Sequence, residues 1–321
     1  MHASQTILVT GGAGFIGAHV AKRLLLDGHT VILIDNFNDY YDPSLKEARL
    51  THLLKDLPFK LYRVDIKSSQ DLRPIFEQHP IDHIIHLAAQ AGVRYSMEQP
   101  MTYANSNLIG SINILELAKE FGVKGLTLAS SSSVYGNAQH YPVREEDNTD
   151  HPISLYGATK KSLEVIAYSY HHLYQLPITC LRFFTVYGPW GRPDMAPFKF
   201  TKQVFEQTPI DIYGHGEMER DFTYIDDIVD GTVKAMEKNL PWEIFNLGQG
   251  KPDALMTFVG LIEKHCGQTS RKNFLPMQPG DMTRTFADNT KAKQLLGWQP
   301  STGLDEGIKQ VVDWYRDYYH L

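Results

Sequence analysis

The sequence predicts an α/β fold: a doubly wound parallel sheet with a smaller, interleaved C-terminal lobe. Three observations predict it. Short runs rich in Ile, Val and Leu alternate with longer amphipathic runs through the first half of the chain. The first of these runs ends in a glycine-rich turn that opens a helical pattern. Beyond Pro177 the pattern becomes irregular and richer in Pro, Gly and aromatic residues. Near-continuous apolar strands are those covered on both faces, and their alternation with helices at this spacing gives a parallel sheet.

Taken in order, TILVT (6–10) reads as a strand and 15–27 as a helix. VILID (31–35) is a strand, followed by a helical pattern near 44–55. FKLYRVD (59–65) and IDHIIHLAA (81–89) are further strands. A long helix is expected near 103–121, then the strand GLTLASS (125–131), then a second long helix over 156–175. Residues 1–182 form the expected dinucleotide-binding domain, with later segments near 222–248 returning to it. Residues 183–321 form the main part of a substrate-binding domain.

The composition excludes several classes. The 321 residues are 42% hydrophobic and 21% charged, with a net charge of −6. An acidic chain without a Lys/Arg-rich run is a poor nucleic-acid binder. Two distant cysteines, Cys180 and Cys266, make no disulfide framework and point to a reducing compartment. The N-terminal residues lack the cationic and apolar segments of a signal peptide, and no run reaches membrane-spanning length. A cytoplasmic protein without membrane partners is expected. The fourteen histidines show no metal-binding spacing, so no metal is implied.

The turn TGGAGFIG places Gly11, Gly14 and Gly17 between strand and helix. There the chain must turn tightly, a pyrophosphate must approach backbone N–H groups, and the helix must pack against the strand. The flanking Phe15 and Ile16 belong to the same contact. Asp35, followed by Asn36, ends the next strand, where an acid accepts from a ribose 2′-OH and repels a 2′-phosphate. NAD is therefore favoured over NADP, in a Rossmann-type unit. Asp65 and Ile66 follow the third strand, within reach of an adenine. Leu87, Ala88, Ala89 and Gln90 end the fourth strand with small residues that let a cofactor lie close, or that simply pack tightly. Asn107 completes the cofactor set.

Tyr156 and Lys160 in YGATK stand four residues apart on a helix, on one face within roughly 40°. Oxidising a secondary alcohol needs a base for its proton while a hydride leaves the carbon. Tyrosine titrates near ~10, so it needs a neighbouring ammonium and a cationic nicotinamide to become that base. A serine hydroxyl from LASSSSVYG can share the proton. Ser131 is the expected catalytic serine, with Ser132 and Ser133 as alternatives and substrate contacts.

These motifs make the chain resemble an extended short-chain dehydrogenase/reductase of the sugar-nucleotide epimerase group. The resemblance implies tightly bound NAD, the Ser131–Tyr156–Lys160 triad, a nucleotide-sugar substrate and a homodimer formed through the helices near 103–121 and 156–175. Dehydratases of the group carry an Asp-Glu pair inside the serine motif, and SSSSVYG has none. RFFTVYGPWGRPDMA, DNFNDYYDPSLKEARL, AAQAGVRYSMEQP, RDFTYIDDIVDG and PMQPGDMTRTFAD look like motifs of UDP-glucuronate 4-epimerases. That likeness places Thr185 and Arg192 beside the sugar carboxylate, where a hydroxyl and a guanidinium bind strongly and directionally. Arg220 is expected at the diphosphate, unless it pairs with Asp221 or Glu219. Asp281 is expected at the uridine ribose or as a turn cap, and Arg94 at the sugar or the phosphates. The alternatives are a UDP-glucose or UDP-N-acetylglucosamine 4-epimerase, a UDP-glucuronate decarboxylase, and a non-catalytic NAD-binding sensor.

Overall fold

A computed structural model describes residues 4–321. Its strands run in order as β1 (Thr6–Thr10), β2 (Thr30–Ile34), β3 (Phe59–Tyr62), β4 (His83–His86), β5 (Gly125–Ser131) and β6 (Ile178–Phe183). They continue as β7 (Thr185–Tyr187), β8 (Ile210–Ile212), β9 (Glu219–Tyr224), β10 (Trp242–Leu247), β11 (Pro252–Ala254) and β12 (Lys272–Phe274). The main sheet is seven-stranded in the order β10-β6-β5-β4-β1-β2-β3, with every pairing parallel. Two small sheets, β11-β9-β7 and β12-β8, belong to the other lobe.

The alternation along β1 shows why both faces are apolar. Ile7 and Val9 pack into one core with Val20 and Leu24 of the helix Phe15–Leu26. Leu8 faces the opposite core, with Ile84, Leu126, Ile178 and Leu163 of the helix Leu155–Tyr174. Successive strand residues point to opposite faces, so a strand sandwiched between helices needs apolar side chains at every position.

Two strands are shorter than the sequence predicts. The fourth stops at His86 because the next amides turn onto Thr10: Leu87 donates to its carbonyl and Ala88 to its hydroxyl, both at 3.2 Å. The third stops at Tyr62, and Asp65 instead organises a turn, accepting from the Lys67 amide at 2.9 Å. The long helix expected near 103–121 is built from the segments Val93–Glu98, Pro100–Tyr103 and Gly110–Glu120, joined by a π-helical turn over Ala104–Ile109.

Segments from the second half cross over. β10 joins the edge of the main sheet beside β6, whereas β9 lies in a small sheet. The helix Ile225–Lys238 between them packs on the helix Phe15–Leu26. The helix Leu304–Tyr319 lays Trp314 and Tyr318 against Trp190, with ring centroids 5.1 and 4.9 Å away. Strand order reverses between β1 and β4, and the crevice at the carboxyl ends of strands at such a switch point is where open α/β sheets bind ligands.

Candidate active site

A cavity of about 660 Å³ fills that crevice and runs on between the two lobes. It is lined by the glycine turn and the ends of β2 and β4, by Ser131, Tyr156 and Lys160, and by Arg192, Arg220 and Asp281.

The glycine turn has the shape the sequence requires. Gly11 adopts φ +69°, and a Cβ there would meet the Ala88 amide nitrogen at 2.9 Å. A Cβ on Gly17 would overlap the Gly11 carbonyl oxygen, so the helix can approach the turn only with glycine at that place. The helix begins at Phe15 with no side-chain cap. Its first-turn amides are therefore available to an anion. Phe15, Ile16, Leu87, Ala88, Ala89 and Gln90 line the cavity, as do Asn36, Asp65 and Ile66.

Asp35 is more engaged than expected. Its carboxylate accepts from the amides of Ala13 at 3.2 Å and Phe37 at 2.9 Å, and takes Lys46 Nζ at 3.1 Å with both side chains buried. A cation so close weakens the repulsion of a 2′-phosphate on which the sequence argument rested. Asn36 donates to Asp65 at 2.9 Å, so these two form one unit. Asn107 departs from its expected place. It is buried, does not line the cavity, and uses its amide inside the protein: Oδ1 accepts from the Gln90 amide, and Nδ2 donates to the Gln90 carbonyl and Thr159 Oγ1. It holds the loop after β4 against the helix that carries Tyr156 and Lys160.

Ser131 ends β5, and its Oγ accepts from the Ser133 amide at 3.1 Å. The helix Leu155–Tyr174 is capped by Ser154, whose hydroxyl accepts from the Gly157 amide at 3.0 Å. The cap sets Tyr156 in the first turn. A Cβ on Gly157 would sit 2.5 Å from the Ser133 carbonyl oxygen, so glycine lets this helix close onto the serine turn. Lys160 is buried and donates to the Ala129 carbonyl at 2.7 Å. Burial lowers its pKa to about 8, against a smaller upward pull from Cys180 and Glu164.

Tyr156 behaves differently from the sequence expectation. Burial raises its pKa, and the opposing influences are the Ser131 hydroxyl and the Arg192 guanidinium. Lys160 is not among them, because its ammonium turns toward the Ala129 carbonyl. In the protein alone the tyrosine is held as the phenol.

Thr185 and Arg192 both line the cavity. Arg192 makes a bidentate pair with Asp194, Nε to Oδ1 at 3.0 Å and Nη2 to Oδ2 at 2.5 Å. Burial works against its charge, but Asp194 carries its pKa above the ordinary arginine value. The Nη1/Nη2 edge of the guanidinium has no partner among the described residues. Arg220 donates to the carbonyls of Glu219 at 2.9 Å and Thr283 at 3.3 Å, and to no carboxylate among the described residues. Its two expected competitors are otherwise occupied. Glu219 pairs with Arg284, and Asp221 accepts from the amides of Gln249, Gly250 and Ala287. Arg94 and Asp281 pair with each other at 3.0 Å across the mouth.

Sequence reasoning missed Lys46, Tyr40, Asp194 and Lys199, which all line the cavity. It also missed a buried pair behind it, Glu164 with Arg182. Lys46 and Tyr40 lie in the run DNFNDYYDPSLKEARL, where two tyrosines and a lysine close behind an acidic strand end were the available signal.

A glycine turn at the switch point of a parallel sheet, with Ser, Tyr and Lys converging on the same cavity, defines a Rossmann-fold enzyme of the short-chain dehydrogenase/reductase type. The chain belongs to the family described as GDP-mannose 4,6 dehydratase, whose model matches residues 8–311. A UDP-glucuronate 4-epimerase of Thermodesulfobacterium geofontis is 48% identical, over 98% of this chain and 97% of the relative. The UDP-glucuronic acid 4-epimerase of Bacillus cereus, solved with UDP-glucuronic acid and NAD, superposes with a TM-score of 0.92 at 38% identity, over 98% of this chain and all of that one. The UDP-glucose 4-epimerase of Thermotoga maritima, solved with UDP-glucose, gives 0.90 at 34% identity, over 98% and 99%.

Proposed function

We propose that this protein is an NAD-dependent UDP-glucuronate 4-epimerase, interconverting UDP-glucuronate and UDP-galacturonate through a 4-keto sugar. The observation that carries this reading is that Thr185 and Arg192, with an open guanidinium edge, line the same cavity as Ser131, Tyr156 and Lys160. Dehydration, the reaction in the family's name, needs an acid in the serine segment. The carboxylates lining the cavity are Asp35, Asp65, Asp194, Asp211 and Asp281, none of which lies there.

NAD fits the near end. The uncapped helix start suits its pyrophosphate, Asp35 and Lys46 its adenine ribose, and the Asn36–Asp65 unit the adenine. When bound, it supplies the hydride acceptor at C4 and, oxidised, a positive charge that pulls the Tyr156 pKa back down. Tyr156 takes the C4 hydroxyl proton and Ser131 holds that oxygen, while Lys160, one turn along the same helix, would have to swing from the Ala129 carbonyl to favour the tyrosinate. Arg220, a cation without a carboxylate partner among the described residues, takes the diphosphate. Arg94 and Asp281 cover the nucleotide end. The ketone then turns and takes the hydride back at C4 on its other face, while its oxygen recovers the proton held by Tyr156.

The 4-keto acid is prone to a side reaction. If the C5–C6 bond stands perpendicular to the carbonyl, it breaks, its electron pair passes into the enolate at C4, CO₂ leaves, and C5 takes a proton. Thr185 and Arg192 hold the carboxylate near the carbonyl plane and suppress that loss. A neutral sugar is the second reading, favoured by Asp194 already balancing the Arg192 charge.

The division of labour follows the two lobes: residues 1–182 with the helix and strand of 225–247 for the cofactor, and most of 183–321 for the substrate. Apolar side chains lie exposed on the helix Leu155–Tyr174, including Val165 and Tyr168, and on the preceding helical segments, including Met101 and Ile109. These are the faces through which we place a homodimer, which sedimentation of Val165→Glu would test. No helix among the described residues is long and apolar enough to cross a membrane. Both cysteines are free and buried, which suits the reducing cytoplasm.

The test is an NMR time course of purified protein with UDP-glucuronate and no added NAD. UDP-galacturonate without pentose supports the reading, and Thr185→Ala should then release more pentose. A pentose product from the parent enzyme, or turnover of UDP-glucose alone, overturns it.

A further inference from the structure

Arg49 is among the largest fully buried side chains, and it has no carboxylate partner among the described residues. Its guanidinium is spent on groups far apart in sequence. Nε donates to the Trp190 carbonyl at 2.9 Å and Nη2 to the Gly191 carbonyl at 3.2 Å. Nη1 donates to the Ala13 carbonyl at 3.2 Å and to the Tyr41 hydroxyl at 2.6 Å. One side chain thus ties the glycine turn to the two residues immediately before Arg192. An unpaired buried cation is costly, and its retention calls for a compensating use.

The loop it grips needs holding. Trp190 sits at φ +64°, a left-handed conformation that is unfavourable for a bulky residue. Such a residue persists only where its surroundings over-determine it. Its ring is fixed by Trp314, Tyr318 and His52. Its carbonyl is fixed by Arg49. The neighbouring Tyr40 reaches the same loop from the other side, donating to Asp194 at 3.1 Å.

We propose that Arg49 is a positioning residue that sets the height of Arg192 above the cofactor turn, and through it the angle of the sugar carboxylate to the C4 carbonyl. It touches neither substrate nor cofactor. The inference rests on the carboxylate role proposed above for Arg192. Without Arg49 the loop relaxes, the carboxylate leaves the carbonyl plane, and carbon dioxide is lost from the keto sugar.

The experiment is the ratio of pentose to galacturonate product, followed by NMR for the parent protein, Arg49→Met, Arg192→Met and the double variant, with melting temperatures recorded alongside. Arg49→Met should raise the pentose share about tenfold, and the double variant should match Arg192→Met alone, since coupled residues are not additive. A drop in turnover or melting temperature with an unchanged ratio would make Arg49 merely structural and overturn the inference, provided Arg192→Met changes the ratio. An unchanged ratio in Arg192→Met would sink the carboxylate reading and this inference with it. Should Arg49→Met not fold, Tyr41→Phe removes only the hydroxyl on Nη1. It should raise the pentose share about twofold, and an unchanged share there overturns the inference equally.

Discussion

Arg182 lays its guanidinium along Glu164 behind the floor of the cavity, Nε 2.8 Å from Oε1 and Nη2 2.9 Å from Oε2. Ser130 donates to the same Oε1 at 2.6 Å, and Tyr135 accepts from Arg182 Nη1 at 2.8 Å. The pair therefore joins β5, β6 and the helix Leu155–Tyr174 one turn beyond Lys160. It fixes the strand end that presents Ser131 against the helix that presents Tyr156. Removing one partner leaves the other charge buried and alone. Glu164→Gln should destabilise the fold by about 3–5 kcal/mol, while Glu164→Met with Arg182→Met should recover much of that loss. Urea unfolding of the three proteins checks this; a loss under about 1 kcal/mol in the single variant would contradict it.

Lys160 gives a pH signature. Burial holds it at about 8 in the fold against 10.5 ordinarily. Below pH 8 the folded chain carries a buried ammonium, which costs stability. Between 8 and 10.5 the folded chain has released the proton and the unfolded chain has not, so stability rises with pH. Lys160→Met lacks this titration. The stability of the parent minus that of Lys160→Met should shift toward the parent across this window, by up to a few kcal/mol. Denaturant midpoints at pH 7.5 and at pH 10 would show it, and a flat difference would mean that Lys160 is hydrated in solution.

Gly17 tolerates no side chain, because a Cβ would overlap the Gly11 carbonyl oxygen. Gly17→Ala should push the helix off the turn, destabilise the protein by about 1–3 kcal/mol and strip it of NAD. The nucleotide released on acid precipitation of the purified variant measures this directly. Full occupancy would show that the turn can shift without losing its ligand.

Asp194 already takes the Nε/Nη2 edge of Arg192. Its charge therefore competes with a sugar carboxylate for the same cation. Asp194→Asn should favour UDP-glucuronate over UDP-glucose by about threefold to tenfold in the ratio of dissociation constants. Calorimetric titration of both nucleotides gives that ratio. A shift toward the neutral sugar would mean that Asp194 matters for orienting the guanidinium and not for its charge.

What the sequence displayed was what short range can display. The Gly11–Gly17 turn, the Tyr156–Lys160 spacing and the serine run each express their chemistry within a few residues, so pattern and function coincide there. Arg49 could not be read this way, since its partners at Trp190 and Gly191 lie more than a hundred positions away. The same holds for Arg94 with Asp281, and Asn107 with Thr159 spans 52 positions, still far beyond the reach of a local pattern. Asn107, expected in the cofactor set, is instead buried within the π-helical turn Ala104–Ile109, a local geometry that no sequence period announces. The partner of the Lys160 ammonium in the protein alone was hidden for a related reason. Four residues of spacing put Lys160 on the right face, but only the Ala129 carbonyl decides where the ammonium points.

The helix Leu304–Tyr319 has a consequence for how the protein comes into being. A ribosome delivers the chain from the N-terminus, and early segments begin to fold first. The strands β1 to β6 and the glycine turn emerge well before Trp314 and Tyr318, on which Trp190 rests. Until those two rings arrive, the loop bearing Arg192 can rest on Arg49, His52 and Tyr40 but lacks the rings that cover the other side of Trp190. A half-made chain can acquire the crevice for a dinucleotide while still lacking the wall that governs a sugar acid. Competence to hold the cofactor precedes competence to handle the substrate, and a helix synthesised more than a hundred residues after the Arg192 loop completes the wall that loop stands on.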